Sequence, residues 1–204
     1  LIAPIAVAEN VSHNTNSVSS SADREEARAP RKLRLPKTNF VQLPKIEFDS
    51  NESAQTGYYC YSSSSIKQFA MPPVVNILQE AGKKLAKENI IMGVGDMSYA
   101  SGTEMKPHRS HRRGLSVDLR MISNSGVAQQ GTYASPGYNQ AKTFTMVKTL
   151  IDTDPDRVKM ILINSPALAA QVKKYIRESY PGIRIKVGPA RNHDNHIHID
   201  WTNK

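Results

Sequence analysis

The chain has 204 residues, of which 39% are hydrophobic and 22% are charged, and its 27 basic side chains outnumber its 18 acidic ones. This length predicts one globular domain, and the composition excludes a collagen, a coiled coil and a wholly disordered chain. The sequence has no stretch near the roughly 18 apolar residues that a membrane-spanning helix needs. The single cysteine, Cys60, excludes an intramolecular disulfide.

The basic excess falls in one part of the chain. Residues 1–56 carry seven basic and seven acidic side chains, so the whole surplus lies in residues 57–204. A basic domain favours an anionic partner, which can be nucleic acid, anionic lipid or an acidic polymer such as cell wall. Composition alone does not choose among these partners.

The N-terminal part of the sequence predicts an exported protein with a flexible arm. Residues 1–8 are apolar and end in Ala6-Val7-Ala8, the small-x-small pattern of a signal-peptidase site. We interpret them as the remnant of a secretory signal peptide; an arbitrary boundary at an apolar terminus is the alternative. Residues 9–56 are rich in Ser and Asn and then basic and proline-punctuated, so they bury too little apolar surface to order themselves. The folded domain is therefore predicted at 57–204.

The periodicity of apolar residues after Gly57 predicts mixed secondary structure. Helical spacing predicts one helix after Pro72-Pro73, one over 139–152 and one that begins at Ser165-Pro166. After a short strand at 90–92, Gly93–Asp96 are predicted to form a turn-rich loop. Helices and strands do not alternate strictly, so we expect an α+β fold with a mostly antiparallel central sheet flanked by helices. The strands are predicted at 90–92, 115–121, 158–163, 183–187 and 197–201.

Five of the six histidines lie in two short clusters. The first cluster is His108-x-x-His111-x-x-Gly114-x-x-x-Asp118, and the second is His193-x-x-His196-x-His198. For any single histidine, a solvated or hydrogen-bonded structural role is the safer interpretation. The joint pattern instead predicts a site at which the side chains of both clusters meet.

The predicted strands place three of these side chains on one sheet face. His196 and His198 are two residues apart on the last strand, so both leave the same face, and Asp118 also points away from the core on its strand. Two imidazoles and one carboxylate suit zinc, and three protein ligands leave a fourth tetrahedral position open, as catalytic zinc sites do. We therefore predict that His111, Asp118 and His198 bind Zn²⁺ on the face of the sheet.

The two clusters together resemble the penicillin-insensitive murein endopeptidases, within the lysostaphin-type and D-Ala-D-Ala metallopeptidases. The run Gly95-Asp96-Met97-Ser98 also resembles that family's segment before its first histidine pair. The resemblance implies that His111, Asp118 and His198 are the zinc ligands, that His196 is the general base, and that His193 lines the site. It also implies a second, peripheral metal position at His108, although the histidine which that position needs between the clusters is missing here.

The resemblance also implies the substrate and the reaction. It predicts an exported, periplasmic zinc peptidase that cleaves D-alanyl-diaminopimelyl crosslinks of murein. Arg120, on the same strand face as Asp118, is predicted to bind a substrate carboxylate, because a guanidinium pairs well with carboxylates. A D,D- or L,D-carboxypeptidase with the same chemistry is the nearest alternative. A basic metal-dependent nuclease or nucleic-acid-binding protein is the alternative from another class, but no nucleic-acid motif supports it.

Overall fold

The computed structural model describes residues 38–62, 64–106, 108 and 110–204. The predicted signal-peptide remnant and the greater part of the predicted arm lie outside these residues. No helix within the described part of the chain is both long enough and apolar enough to cross a membrane. The described residues form four helices, eight strands and two short 3₁₀ turns.

Three helices form where their sequence signals predict them. They are α2 (Pro72–Ala86), α3 (Gln140–Thr153) and α4 (Pro166–Ser179). The Asn139 side chain caps α3 by accepting a hydrogen bond from the Lys142 amide, and the Ser165 side chain caps α4 in the same way from the Leu168 amide. A shorter helix, α1 (Asn51–Thr56), precedes them and is capped by Ser50.

Six strands form a central mixed sheet in the order β2-β4-β5-β8-β6-β7. Its three central pairings, β4 with β5, β5 with β8 and β8 with β6, are antiparallel, whereas β2 with β4 and β6 with β7 are parallel. The α+β prediction is confirmed, and the parallel pairs lie at the two edges because α2 and α4 connect them as crossovers. The strands are β2 (Tyr58–Cys60), β4 (Met92–Val94), β5 (Ser116–Leu119), β6 (Val158–Leu162), β7 (Lys186–Gly188) and β8 (Ile197–Trp201).

The sequence predicts that the folded domain begins at Gly57. The described chain is already folded upstream of this residue. Strand β1 (Val41–Gln42) pairs with β3 (Phe69–Ala70), and α1 contacts α2. Leu43 and Ile46 are fully buried, and the Ile46 carbonyl accepts a hydrogen bond from the Cys60 amide at 2.9 Å. The segment has few apolar residues, but tertiary packing buries these two completely, which composition alone does not reveal.

A hydrogen-bonded cluster joins α3 to α4 around Asp152. This carboxylate accepts hydrogen bonds from the Tyr180 hydroxyl at 2.8 Å, from Lys148 Nζ at 2.7 Å and from the Tyr175 hydroxyl. Burial alone would raise the pKa of Asp152, but these hydrogen bonds outweigh burial and lower it. The cluster therefore stabilises the ionised carboxylate in the folded state.

We expect Asp152→Asn to destabilise the protein by about 1–2 kcal/mol near pH 7, because hydrogen bonds to a charged group are lost. A carboxylate whose pKa is lower in the folded state stabilises the fold above its unfolded pKa of about 3.9, and this contribution disappears as the pH falls through the folded pKa. Near neutral pH, urea unfolding should therefore show a large difference in the free energy of unfolding between the variant and the wild type. Below about pH 3 this difference should be small. The exposed Asp156→Asn is the control, and an equal effect of Asp152→Asn at both pH values would contradict the expectation.

Candidate functional site

One face of the sheet brings the two histidine clusters together. In the antiparallel pair β5 and β8, Asp118 lies directly opposite His198. Their side chains leave the same face, and Arg120 follows Asp118 on that face two residues later. The rings of His111 and His198, which are far apart in sequence, have centroids 5.1 Å apart. The register of two strands thus positions the predicted site.

The Asp118 carboxylate lies at the centre of the histidines. Its Oδ1 is 2.8 Å from His198 Nδ1, 3.4 Å from His111 Nε2 and 3.7 Å from His196 Nε2, and its Oδ2 is 3.8 Å from His108 Nδ1. Burial would raise the pKa of Asp118, but its contacts with His111 and His198 outweigh burial and hold that pKa well below its ordinary range. Asp118 is therefore a buried carboxylate ion that faces four imidazoles.

His111 has the environment of a metal ligand. It begins a 3₁₀ turn that ends at Gly114, whose left-handed φ of 63° reverses the chain into β5. Its ring is fully buried, and Nδ1 lies 2.7 Å from the Met97 carbonyl, which only accepts hydrogen bonds, so Nδ1 carries the proton. Its Nε2 is buried and has no hydrogen-bond partner among the described residues, so in the neutral ring this nitrogen can offer its lone pair to a cation. A fixed ring with an unpartnered nitrogen is typical of a metal ligand.

His198 is held between two carboxylates. Its Nδ1 lies 2.8 Å from Asp118 Oδ1, and its Nε2 lies 2.9 Å from Asp200 Oδ1, which also accepts a hydrogen bond from Ser116 Oγ. Burial would lower the pKa of His198, but the two carboxylates outweigh burial and raise it to about 9. Asp200 orients the ring from behind, as carboxylates commonly do for metal-binding histidines. The sequence analysis did not single out Asp200, although it lies two residues after His198 on the same strand face.

One group of three side chains that could hold a metal ion includes His108 rather than His198. One ligand atom each from His108, His111 and Asp118 lies within 4.8 Å of the others. The structure therefore brings His108 to the same carboxylate as the predicted triad, whereas the sequence analysis assigned it to a separate, peripheral position. His198 is also in contact with that carboxylate, but both of its ring nitrogens are hydrogen bonded.

These residues fit a zinc ion. Imidazole nitrogen and carboxylate oxygen are its usual ligands, and tetrahedral ligands at about 2.0–2.1 Å from zinc lie about 3.3–3.5 Å from one another. The observed 3.4 Å between His111 Nε2 and Asp118 Oδ1 matches this spacing. The unpartnered Nε2 of His111 is the atom that a bound cation would satisfy.

His193 and His196 lie on the open side of the cluster. His196 immediately precedes β8, and its Nδ1 lies 2.8 Å from Asn195 Oδ1, an acceptor that fixes the proton on Nδ1. Burial lowers the pKa of His196, so the ring is neutral near pH 7 and its Nε2 is free to accept a proton. His193 packs against it with ring centroids 4.6 Å apart, and its Nδ1 donates to the Arg191 carbonyl.

A cleft with a volume of about 520 Å³ opens beside these histidines. Asp96 in its wall accepts hydrogen bonds from Ser62 Oγ and Lys67 Nζ, both at 2.8 Å. Lys67 was not predicted to take part in the site, because β3 and α2 lie between it and the motifs in the sequence. The residues that line the cleft include Tyr61, Lys67, Asp96, His108, Arg120 and His196.

Two tyrosines support Arg120 in this cleft. The Arg120 guanidinium carbon lies 4.0 Å from the centre of the Tyr61 ring, and Nη1 is 3.4 Å from the Tyr59 hydroxyl. These tyrosines of the β2 segment lie over Gly93 and Gly95, and a Cβ at either glycine would meet their rings. The prediction of a turn-rich loop at Gly93–Asp96 is wrong for its first part, because Gly93 belongs to β4 and supplies the space that Tyr59 occupies.

We expect Gly95→Ala to displace Tyr61 and to destabilise the protein by about 1–3 kcal/mol, because the added methyl overlaps the Tyr61 hydroxyl and ring. Chemical denaturation measures the loss, and the KM for substrate should rise because Arg120 loses its support. Gly188→Ala is the control, since no atom lies within 4 Å of the added methyl there. Equal stabilities of the two variants would contradict this account.

Among the described basic residues near the motifs, only Arg120 lines the cleft. Lys106, Arg112 and Arg113 are exposed, and the last two border a separate groove together with Lys159. Arg191 lines a smaller pocket with His193, His196 and His198.

A comparison with curated proteins finds no match for this chain. The sequence model of the penicillin-insensitive murein endopeptidase family matches residues 51–202, a range that includes both histidine clusters and Asp118. The resemblance inferred from the motifs is thereby confirmed. Since the match spans most of the chain, the protein belongs to the penicillin-insensitive murein endopeptidase family and is a peptidase that acts on peptidoglycan.

Proposed function

We propose that this peptidase is zinc-dependent and that it cleaves the D-alanyl-diaminopimelyl crosslinks of murein. The buried, unpartnered Nε2 of His111, which faces Asp118 at 3.4 Å, carries the metal part of this proposal. His111, Asp118 and His198 would hold the ion, and His108 lies close enough to Asp118 to act as a further ligand. Asp200, which is hydrogen bonded to His198 Nε2, would orient the ring while His198 holds the ion.

His196 is proposed as the general base and acid. When bound, zinc polarises the scissile carbonyl and lowers the pKa of a water molecule to about 7. His196 Nε2 is free to accept the proton of the attacking water and to donate it to the leaving amine. The hydrogen bond from Nδ1 to Asn195 keeps the ring in the required tautomer. His193, which is packed against this ring, is proposed to hold it in position or to donate to the developing oxyanion.

Arg120 is proposed to bind a free carboxylate of the stem peptide. Its guanidinium lines the cleft, is supported by two tyrosines, and forms no ion pair among the described residues. We expect Arg120→Gln to raise the KM by roughly tenfold or more, because a charge-assisted hydrogen bond is lost, with a smaller effect on kcat. Steady-state kinetics can test this prediction, with the exposed Arg177→Gln as the control. An unchanged KM in Arg120→Gln would contradict it.

Murein lies outside the cytoplasmic membrane, so we propose that the protein is exported and acts in the periplasm. The basic surplus of residues 57–204 supports a polyanionic partner of this kind. The apolar residues 1–8, interpreted above as a signal-peptide remnant, agree with this location.

Digestion of purified crosslinked muropeptides, with and without a chelator, tests the proposed function. We expect the enzyme to convert dimers to monomers without releasing free D-alanine, to lose this activity with the chelator, and to regain it when zinc is added back. Release of D-alanine would instead support the carboxypeptidase. Intact dimers together with degraded nucleic acid would support the nuclease.

A further inference from the structure

A second groove continues from the cleft on the far side of Arg120. It has a volume of about 500 Å³, within the usual size of ligand sites, and it contains none of the five clustered histidines. The groove and the cleft share Tyr61, Arg120 and Gln130, so the two are neighbours that have these side chains in a common wall. We call the part beyond Arg120 the distal groove; its wall includes Phe48, Tyr59, Ser123, Ser125, Val127 and Gln129.

The side chains of the distal groove suit a peptide chain. Gln129 and Gln130 contribute side-chain amides to its lining, and an amide group pairs with the donors and acceptors of a peptide backbone. Ser123 and Ser125 add hydroxyl groups, and Val127 adds apolar surface. Alternating polar and apolar contacts of this kind match the backbone and the side chains of an extended peptide.

Phe48 forms an exposed aromatic wall of the distal groove. Its side chain is 58% exposed, and its ring meets the Tyr59 ring edge-on with centroids 5.0 Å apart. Phe48 comes from the segment between β1 and α1, which packs on the domain through Leu43 and Ile46. A large aromatic residue held in this way offers contact area at little entropic cost.

We infer that the distal groove binds the peptide chain on one side of the scissile bond, with Phe48 as a specificity-determining residue. This inference rests on the proposed function, because the chain in question is a stem peptide of a murein crosslink. An enzyme that cuts inside a crosslink has to accommodate chain on both sides of the bond. Histidines line the cleft and not the distal groove, whereas Arg120 lines both, so a substrate that fills both would pass Arg120.

Steady-state kinetics on two substrates test the inference. One is a crosslinked dimer with full stem peptides, and the other is a truncated peptide that keeps the scissile bond and one residue on each side. We expect Phe48→Ala to raise the KM for the dimer by about five- to tenfold, with kcat and the truncated substrate unaffected. Phe48→Trp should restore the KM, and Ser125→Trp, which fills the groove, should raise it further. Val41→Ala, at an exposed apolar residue outside both depressions, is the control.

A binding measurement separates this inference from the proposed function. In a His196→Ala background, which is expected not to turn over, the Kd of the intact dimer should rise by about five- to tenfold when Phe48→Ala is added. If the wild type cleaves dimers but neither Phe48→Ala nor Ser125→Trp changes the KM or the Kd, the distal groove does not bind the substrate and the proposed function stands. If the zinc-loaded wild type does not cleave dimers at all, the proposed function itself fails, and this inference fails with it.

Discussion

His196→Ala is expected to lose turnover and to keep its metal. The imidazole is proposed to accept and donate the proton in amide hydrolysis, a role that contributes about 10²- to 10⁴-fold to the rate. His196 Nε2 lies 3.7 Å from Asp118 Oδ1, whereas His111 Nε2 and His198 Nδ1 lie closer to that oxygen. His196 therefore faces the proposed ligands but is not itself one of them. We therefore expect kcat on crosslinked dimers to fall by this factor and the zinc content to match the wild type.

His196→Gln controls for the shape of the side chain. Glutamine retains hydrogen-bonding groups of similar reach but does not accept a proton near neutral pH, so its kcat should fall nearly as far as that of the alanine variant. Full activity in either variant would show that another group moves the proton. Loss of zinc in both would instead assign His196 to the ligands.

His198→Ala is expected to lose the ion and part of the folding stability. Mutation of a group that only orients a metal ligand lowers metal affinity by about 10- to 100-fold. Removal of a ligand itself should therefore lower the zinc affinity by more than about 100-fold. The variant also leaves Asp118 and Asp200, which are both buried, without the imidazole between them. Uncompensated buried charge costs about 3–5 kcal/mol, so the melting temperature should fall as well. Competition with a chromogenic chelator gives the affinity, and calorimetry gives the stability.

Asp200→Asn provides the graded comparison for His198→Ala. It keeps the imidazole but weakens the hydrogen bond to His198 Nε2, so the zinc affinity should fall by only about 10- to 100-fold. Equal zinc affinities in Asp200→Asn and His198→Ala would contradict the ligand role proposed for His198. Wild-type affinity in His198→Ala would exclude that role outright.

Local signals predicted the helices well because caps and apolar spacing act within a few residues. Ser165 caps α4 as the pair Ser165-Pro166 predicts, and α3 begins one residue after its predicted start. The alternation around Asp118 also placed this residue on the polar face of its strand, and the register with β8 then brings it opposite His198. The spacing of the two clusters therefore indicated that His111, Asp118 and His198 would lie together, but not that His108 would join them.

Features that depend on contacts between distant segments were not predicted. Tyr59 pairs with Gly93 in the parallel register of β2 and β4. Because this register is not visible in the sequence, Gly93 was interpreted as a turn residue. Leu43 and Ile46 lie in a stretch whose composition resembles a linker, although the fold buries both. The contact of His108 with Asp118 depends on the path of the loop before the 3₁₀ turn, for which local periodicity gives no signal.

Diffraction from crystals of the zinc-loaded protein, recorded at the zinc absorption edge, would locate the ion. We expect one strong anomalous peak at about 2.0–2.2 Å from His111 Nε2, Asp118 and His198 Nδ1, with Asp200 still bonded to His198 Nε2. An anomalous peak at another position would contradict the proposed zinc site. So would an active enzyme whose crystals show no ion at His111 Nε2.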